Sequence, residues 1–250
     1  LVTPIQPKTV NPSKSATYIP ILRGLKPRSV IRNDEKLTLT LEEDHYKERV
    51  LADYFKNSKS VNLYTGLNIY FDIRSKLLGS EKDRTLIKEI ENFLDLHVFN
   101  QSITLIPKIN DDILHIKIGD EEDRRISDLG DGIQSILTIL FPILLYKDEE
   151  HYFFIEEPEI NLHPRKQVQI LNLLATKFPK HQFFITSHSA HFLKSDNLNI
   201  FKIENSTSKI KISPIENSME VISLLNDLGY SASDMLQTNY LIWVEGPSDV

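Results

Sequence analysis

The stretch that decides the fold is Phe153-Phe-Ile-Glu-Glu-Pro-Glu-Ile-Asn-Leu-His-Pro164, an apolar strand that ends in adjacent carboxylates. Glu156 and Glu157 cannot both be buried structural residues, because burying an unpaired charge is costly. In α/β sheets, ligands bind at the carboxyl ends of the strands. A magnesium ion on nucleotide phosphates would give one carboxylate a partner, and the next would be free to polarise a water molecule. The alternative, a solvated acidic loop, is disfavoured by the Pro-Glu and Leu-His-Pro that follow in close order.

A second apolar strand, Phe183-Phe-Ile-Thr-Ser-His-Ser-Ala-His191, also ends in polar residues. His188 at this strand end could hydrogen-bond a γ-phosphate or the attacking water. A lone histidine at a strand end is more often structural, but the double-acid motif before it favours the functional interpretation. His191 has no carboxylate partner at zinc-ligand spacing. The other histidines that we examined also lack metal-ligand spacing; they are His45, His97, His115, His151 and His181.

A glycine-rich turn, Ile126-Ser-Asp-Leu-Gly-Asp-Gly-Ile-Gln134, directly precedes an apolar run over 133–146 that we interpret as a buried helix. Two glycines beside a polar residue at a helix start leave backbone N–H groups free to face an anion. The alternative is an ordinary glycine turn in which Ser127 or Asp128 caps the helix.

The rest of the chain alternates between short apolar strands and helices, a pattern typical of an α/β layered core. The predicted strands are 18–22, 113–118, 152–155, 183–186 and a hairpin of 199–204 with 209–213. The predicted helices are 41–55, 62–78, 81–96, 133–146, 165–178 and 218–228. Arg23 follows the first strand and could reach a nucleotide, an inference that only its strand-end position supports.

Composition narrows the class of protein. The chain has 250 residues, a formal charge of −6 and no cysteine, so disulfides and thiolate zinc sites are excluded and no global basic field indicates nucleic-acid binding. The longest apolar run is interrupted by polar residues and is too short to span a bilayer, and no signal peptide is visible. We therefore expect a cytoplasmic protein without a membrane partner.

The order of these segments (glycine-rich turn, helix, strand ending in Glu-Glu, helix, strand ending in His) resembles the ATPase heads of the ABC superfamily, specifically the SMC- and RecF-like branch. The resemblance covers roughly 110–215 and implies ATP and Mg²⁺ as cofactors. It places Glu156 where the Walker B acid helps to hold magnesium, and Glu157 where the catalytic glutamate orients or deprotonates water. His188 matches the switch histidine.

The resemblance also implies contacts between two copies of the chain. Asn161 and His163 lie in the stretch that matches the D-loop, which touches the partner subunit. Gly130, Asp131 and Gly132 occupy the place of the signature motif, which contacts the γ-phosphate of the nucleotide bound to the opposite subunit. The expected assembly is a head-to-head dimer or a higher homo-oligomer.

The sequence departs from the family pattern in two places. Leu129 occupies the place of the signature serine, unless Ser127 fills it in a shifted register. No Gly-x-x-x-x-Gly-Lys-Ser/Thr loop occurs in the sequence, although in this superfamily that loop precedes every segment quoted above. Because the chain starts at Leu1 and ends on an apolar strand, we expect a fragment whose phosphate loop lies upstream or is absent. Such a fragment alone should not bind ATP tightly.

The carboxyl end, Tyr240-Leu-Ile-Trp-Val-Glu-Gly-Pro-Ser-Asp249, resembles the first strand of a Toprim domain, in which Glu245 would be a metal ligand of a nuclease site. The alternative is a plain strand and turn. An ABC-type head followed by Toprim resembles the OLD (overcoming lysogenization defect) family of endonucleases, which includes anti-phage defence effectors.

The fold expected from the resemblance is an α/β, ABC-ATPase-like layered sheet, the C-terminal half of a head, with a mainly helical insertion. The expected domains are 1–24 as a segment of the ATPase core, 25–108 as the insertion, 109–236 as the head and 237–250 as the start of a Toprim-like nuclease domain.

The function implied by the resemblance is binding and hydrolysis of ATP, with the nucleotide state gating a metal-dependent DNA endonuclease in anti-phage defence. The implied partners are a second copy, DNA and an accessory defence protein. Two alternatives stay open. One is a nucleotide-gated scaffold that assembles or recruits a separate effector with little hydrolysis, and the other is a RecF/SMC-like DNA repair ATPase without nuclease.

Overall fold

The computed structural model describes residues 15–25, 44–56, 61–109, 113–194, 198–206 and 209–230. The chain divides into two compact units, Leu1–Ser187 and His188–Val250. The strands are β1 (Ser15–Ile19), β2 (Ile103–Lys108), β3 (Ile113–Ile118), β4 (Arg124–Arg125), β5 (His151–Glu156), β6 (Gln182–Thr186), β7 (Phe201–Ser206) and β8 (Lys209–Pro214). The helices are α1 (His45–Tyr54), α2 (Ile69–Leu77), α3 (Glu81–Leu94), α4 (Asp131–Leu145), α5 (Pro164–Lys177) and α6 (Ser218–Asp227). The predicted α/β fold class is confirmed.

The first unit is built on a parallel sheet in the order β1-β5-β6. β5 lies at the centre, where an apolar strand can be covered on both faces, and Phe153 within it is fully buried. Ile155 is aligned with Ile19 on one side and with Ile185 on the other, so the three strands reach their carboxyl ends together. Residues that follow the strands are therefore brought to one edge of the sheet.

A second, antiparallel sheet of β2, β3 and β4 contributes Leu105, Leu114 and Ile116 to the same hydrophobic core. A short 3-10 turn over Ile126–Asp128 then leads into α4. This helix is apolar on nearly every side, the pattern of a buried helix, and all of its residues from 136 to 144 are buried. Neither α4 nor any other helix in the described ranges is long and apolar enough to cross a membrane.

α2 and α3 pack on each other and on β2. α3 starts with a capping box, in which Ser80 Oγ accepts from the Asp83 N–H and the Asp83 carboxylate accepts from the Ser80 N–H. The predicted helix over 81–96 is confirmed, and it continues into a π-helical turn over Asp95–Phe99.

The second unit contains an antiparallel hairpin followed by a helix, as the sequence predicts. β7 pairs with β8 so that Ile203 lies opposite Ile212. α6 is capped by Asn217, whose side-chain oxygen accepts from the Glu220 N–H at 3.0 Å.

The helix predicted over 62–78 forms only over Ile69–Leu77. Before it, Leu63 makes a parallel bridge to Tyr18 of β1. Gly66 adopts φ 100°, which lies outside the helical range and is accessible mainly to glycine. The bridge and this turn keep the first part of the segment out of the helix.

The strand predicted over 18–22 ends at Ile19, and Ile21 and Leu22 are exposed rather than buried. Pro20 has no N–H to continue the pairing. The N–H of Ile21 donates to the Glu156 carboxylate instead of to the sheet.

His151, the first residue of β5, and His181, directly before β6, are both buried. The ring nitrogens of His151 hydrogen-bond Ser15 Oγ and Thr17 Oγ1, each at 2.8 Å. Burial lowers the pKa of His151, and burial together with the neighbouring His151 lowers the pKa of His181. Folding therefore favours the neutral form of both rings.

We expect the parallel sheet to lose stability in mild acid. A histidine whose pKa falls on folding stabilises the protein fully above its unfolded pKa, about 6.5, and this contribution is lost as the pH falls through the lower folded pKa. Hydrogen–deuterium exchange at the β5 and β6 amides of the intact protein, corrected for intrinsic rates, should show less protection at about pH 5 than at about pH 7.5. His181→Phe should retain more protection, and equal losses in both proteins would contradict the prediction.

Candidate functional site

The Glu156 carboxylate, at the end of β5, accepts hydrogen bonds from two groups, one in β1 and one just after it. The Tyr18 hydroxyl donates to Oε1, and the backbone N–H of Ile21 donates to Oε2 at 2.8 Å. Burial, and then the hydrogen bond to Glu156, raise the pKa of Tyr18 above its ordinary value, so the phenol remains a donor at neutral pH. The parallel pairing of β1 with β5 thus orients the first of the two predicted acids.

Glu157 adopts a left-handed backbone conformation, φ 40°, which is uncommon for a residue with a side chain. Its N–H donates to the carbonyl of Thr186, at the end of β6, at 2.9 Å. Its carbonyl accepts from Arg23 Nη2 at 2.8 Å. Such a conformation costs on the order of 1–3 kcal/mol. It is held in place by the hydrogen bond that Glu157 donates to the end of β6 and by the one that it accepts from Arg23.

Arg23 joins the end of β1 to the end of β5. Besides Glu157, its guanidinium donates through Nη1 to Glu156 O at 2.6 Å and to Pro20 O at 2.7 Å. Burial lowers the pKa of Arg23 to about 10, and Glu156, Glu159 and Glu157 oppose this fall. The group is therefore cationic at neutral pH among three carboxylates. The sequence indicated it only through its position after the first strand.

The loop after β5, residues 157–163, presents two predicted D-loop residues on either side of an apolar anchor. Asn161 is exposed and left-handed, φ 65°. Leu162 is buried. His163 is the exposed N-cap of α5, and its Nδ1 accepts from the Arg165 N–H at 3.3 Å.

Glu159, in the same loop, accepts a hydrogen bond from Ser187 Oγ at 2.6 Å. This contact connects the loop after β5 to the residue after β6. Sequence analysis did not select either residue for the site. The only available signal was that each lies within three residues of the end of a strand that is followed by predicted site residues.

The glycine-rich turn begins α4 without a side-chain cap. The N-cap is Gly130, so the alternative in which Ser127 or Asp128 caps the helix is wrong. Leu129 is buried in the hydrophobic core and brings no hydroxyl to this place. Gln134 stabilises the turn, since its Nε2 donates to Leu129 O at 2.6 Å and to Ser127 O at 3.2 Å.

The start of α4 lies directly against the loop after β5. Ser135 Oγ donates to Ile160 O at 3.1 Å, and a Cβ on Gly132 would lie 3.1 Å from Asn161 O. The structure therefore brings the predicted signature and D-loop residues together. Of these residues, Asp131 and Asn161 line a cavity of about 190 Å³, whose walls also include Arg23, Tyr46 and Ser135.

Two further predicted site residues lie outside the described part of the first unit. His188 belongs to the second unit, where its side chain is exposed and its carbonyl accepts from the Tyr230 hydroxyl at 3.4 Å. Glu245 lies outside the described residues. The roles expected for them, switch histidine and metal ligand, stay predictions.

The carboxylates at the sheet edge have the donor chemistry that a hard cation prefers. Within the ranges that the structure describes, no group of three or more His, Cys, Asp or Glu is placed to hold a metal ion by itself. Mg²⁺ usually binds through one or two carboxylates together with substrate phosphates. The Glu156 carboxylate therefore has the chemistry to hold magnesium that is bound together with ATP.

Gly132→Ala should destabilise the protein, because the new Cβ would meet a backbone oxygen of the loop after β5. Overpacking of this kind costs roughly 1–3 kcal/mol, part of which the higher helix propensity of alanine offsets. Gly130→Ala is the matched control, since φ there is −58° and the space around an added Cβ is open to 4 Å. We expect it to lose only the preference of an N-cap for glycine over alanine, up to about 1 kcal/mol of the free energy of unfolding. Urea unfolding of both variants tests this, and a loss in Gly132→Ala no larger than the loss in Gly130→Ala would contradict it.

Comparison with known proteins gives matches along most of the chain. The family described as "AAA ATPase domain" matches residues 23–193.

Endonuclease GajA of Bacillus cereus (strain VD045) is 28% identical over 126 residues, which are 48% of this chain and 22% of GajA. The "Retron Ec83 probable ATPase" of Escherichia coli is 28% identical over 187 residues, 73% of this chain and 32% of that protein. Septu protein PtuA of Bacillus mycoides (strain KBAB4) is 33% identical over 72 residues, 26% of this chain and 10% of PtuA. The chain thus spans less than a third of the length of these relatives.

A solved structure from work on ATP-driven dimerization and DNA-stimulated activation of SMC ATPases matches with a TM-score of 0.50. The match covers 62% of this chain and 98% of that chain at 12% identity, so it shows the fold alone. The fold is the mixed α/β arrangement of an SMC-type ATPase head, with a parallel sheet and helices. Because the family match covers more than half of the sequence and includes Arg23, Glu156 and Glu157, the chain belongs to the AAA ATPase domain family.

Proposed function

We propose that the chain is the hydrolytic side of an ABC-type ATPase head, which binds ATP and Mg²⁺ between two copies. The observation that carries the proposal is the pair Glu156–Glu157, presented at the carboxyl edge of a parallel sheet by contacts from the neighbouring strand ends. Membership in the AAA ATPase domain family supports the coarser statement that this is an ATPase domain.

In this proposal Glu156 and Glu157 have different roles in ATP hydrolysis. Glu156, oriented by Tyr18 and Ile21, helps to hold magnesium. When bound, magnesium supplies charge neutralisation to the phosphates. Glu157 orients or deprotonates the water that attacks the γ-phosphate, a role that depends on position more than on covalent chemistry. His188 hydrogen-bonds the γ-phosphate or that water.

The start of α4 and the loop after β5 form the proposed surface toward a second copy. A helix N-terminus favours an anion through its free N–H groups and its dipole. This supports a contact of Gly130, Asp131 and Gly132 with the γ-phosphate of the nucleotide on the other copy. Asn161 and His163 are exposed in the adjoining loop, which supports their contact with the partner subunit.

Glu157→Gln in the intact protein should still bind ATP but hydrolyse it about 10²- to 10⁴-fold more slowly, the usual contribution of a general base. Phosphate release at saturating ATP, together with titration of a fluorescent ATP analogue, measures both quantities. Glu149→Gln is the matched control, because Glu149 is exposed and precedes β5, at the opposite edge of the sheet. Unchanged turnover in Glu157→Gln would overturn the assignment.

A second function is favoured by one observation, the burial of Leu129 in the core. Since this side chain offers no hydroxyl to a phosphate, the contact in trans depends on backbone donors. A weakened contact would suit a nucleotide-gated scaffold that assembles or recruits a separate effector with little hydrolysis. ATP-dependent assembly of the wild-type protein without phosphate release would support the scaffold over the hydrolase.

We further propose that the head belongs to an OLD-like DNA endonuclease whose metal-dependent Toprim site is gated by the ATP state. In this organisation 1–24 and 109–236 form the head, 25–108 is a mostly helical insertion and 237–250 begins the Toprim-like domain. Similarity to endonuclease GajA supports the nuclease. The roles in anti-phage defence, the DNA substrate and an accessory defence protein rest on the OLD resemblance.

Glu245→Ala in the intact protein should abolish Mg²⁺-dependent cleavage of plasmid DNA, because phosphodiester cleavage at such sites needs carboxylate-held metal. Gel electrophoresis of plasmid incubated with Mg²⁺ or with EDTA measures the cleavage, and Thr238→Ala is the control. Retained cleavage by Glu245→Ala would contradict the metal assignment. Absence of cleavage in the wild-type protein would favour the repair ATPase without nuclease.

A further inference from the structure

Arg23 binds backbone carbonyls at the sheet edge. Nη1 donates to Glu156 O at 2.6 Å and to Pro20 O at 2.7 Å, and Nη2 donates to Glu157 O at 2.8 Å. One guanidinium therefore connects the residue after β1 to two consecutive carbonyls at the end of β5. A planar fork with several donors is suited to such multiple acceptors.

The two consecutive carbonyls lie at the point where the chain leaves β5. Neighbouring carbonyls of a regular strand point to opposite sides, whereas here both accept from the same group. The left-handed conformation of Glu157, φ 40°, accompanies this geometry. Since the direction of a side chain follows from the backbone conformation, the contacts of Arg23 bear on where the Glu157 carboxylate is placed.

The other side of Glu157 is held by β6. Its N–H donates to Thr186 O at 2.9 Å, so the residue is clamped between the ends of β1 and β6. Arg23 supplies the β1 side of this clamp. A lysine in its place would carry the same charge, but its ammonium lacks the planar fork that bridges separate carbonyls.

We infer that Arg23 is a positioning residue for ATP hydrolysis, which holds the Glu157 backbone through the carbonyls of Glu156 and Glu157 and so places the Glu157 carboxylate. The inference rests on the proposed function of Glu157. Arg23 acts through Glu157 and not through direct contact with the nucleotide.

The first test compares Arg23→Lys with wild type in the intact protein. Misplacement of a catalytic group by about 1 Å can cost about 100-fold in rate, so we expect kcat to fall by about 10- to 100-fold. The Kd of a fluorescent ATP analogue should change by less than about twofold, because ground-state binding does not use Glu157. Arg84→Lys is the matched control, since Arg84 Nη1 also donates to a carbonyl, Gly79 O at 2.7 Å, at the exposed start of α3.

The second test combines Arg23→Lys with Glu157→Gln. Once the Glu157 carboxylate has been removed, loss of the Arg23 guanidinium should cause no further fall in kcat. Multiplicative losses in the double variant would overturn the inference. A rise in the Kd of the ATP analogue that matches the fall in kcat would also overturn it, because Arg23 would then bind nucleotide directly.

A third readout does not depend on turnover. In Arg23→Met, hydrogen–deuterium exchange should quicken at the amides of the loop after β5, while protection of α3 stays as in wild type. Unchanged exchange in that loop, or a loss of protection throughout the protein, would contradict a local positioning role.

The outcomes separate the inference from the proposed function. Wild-type turnover in Glu157→Gln alone would remove the assignment of Glu157 and the inference with it. Slow turnover in Glu157→Gln, with rapid turnover in both Arg23→Lys and Arg84→Lys, would remove only the role of Arg23.

Discussion

The parallel pairing of β1, β5 and β6 is the constraint on which the rest of the structure depends. Because parallel strands run in the same direction, everything that follows them leaves from one edge of the sheet, and the register aligns Glu156 with Thr186 there. Burial of Phe153 and Ile155 of β5 in the hydrophobic core favours this pairing. The acids lie half-buried at this edge, because they directly follow the buried residues of the strand.

The negative charge at this edge is partly compensated by Arg23, which follows β1 in the chain. Three glutamates favour the cationic form of Arg23, and burial opposes them, which leaves its pKa at about 10. A half-buried cation such as Arg23 is tolerated when it is hydrogen-bonded and faces opposite charge. The same guanidinium binds the backbone of the loop after β5, so electrostatic compensation and loop geometry depend on one side chain.

Much of the fold could be predicted because its signals are local. The buried strands β5 and β6 and the apolar α4 follow from composition and periodicity over a few residues. The prediction was wrong where a distant contact overrides the local pattern. Leu63 leaves the expected helix because it bridges to Tyr18, and Ile21 leaves the expected strand because its N–H has the Glu156 carboxylate as acceptor. The capping role considered for Ser127 or Asp128 was also wrong, because the helix begins at Asp131 and its N-cap is Gly130.

By itself the sequence determined that two acids follow an apolar strand, that a glycine-rich turn opens a buried helix, and that these features come in the order of an ATPase head. Only the tertiary structure decided what holds them: Tyr18 on Glu156, Arg23 on Glu157, and Gly132 against Asn161. The physical reason is distance along the chain. Tyr18 and Glu156 are 138 residues apart, and strand pairing that no local pattern encodes brings them into contact.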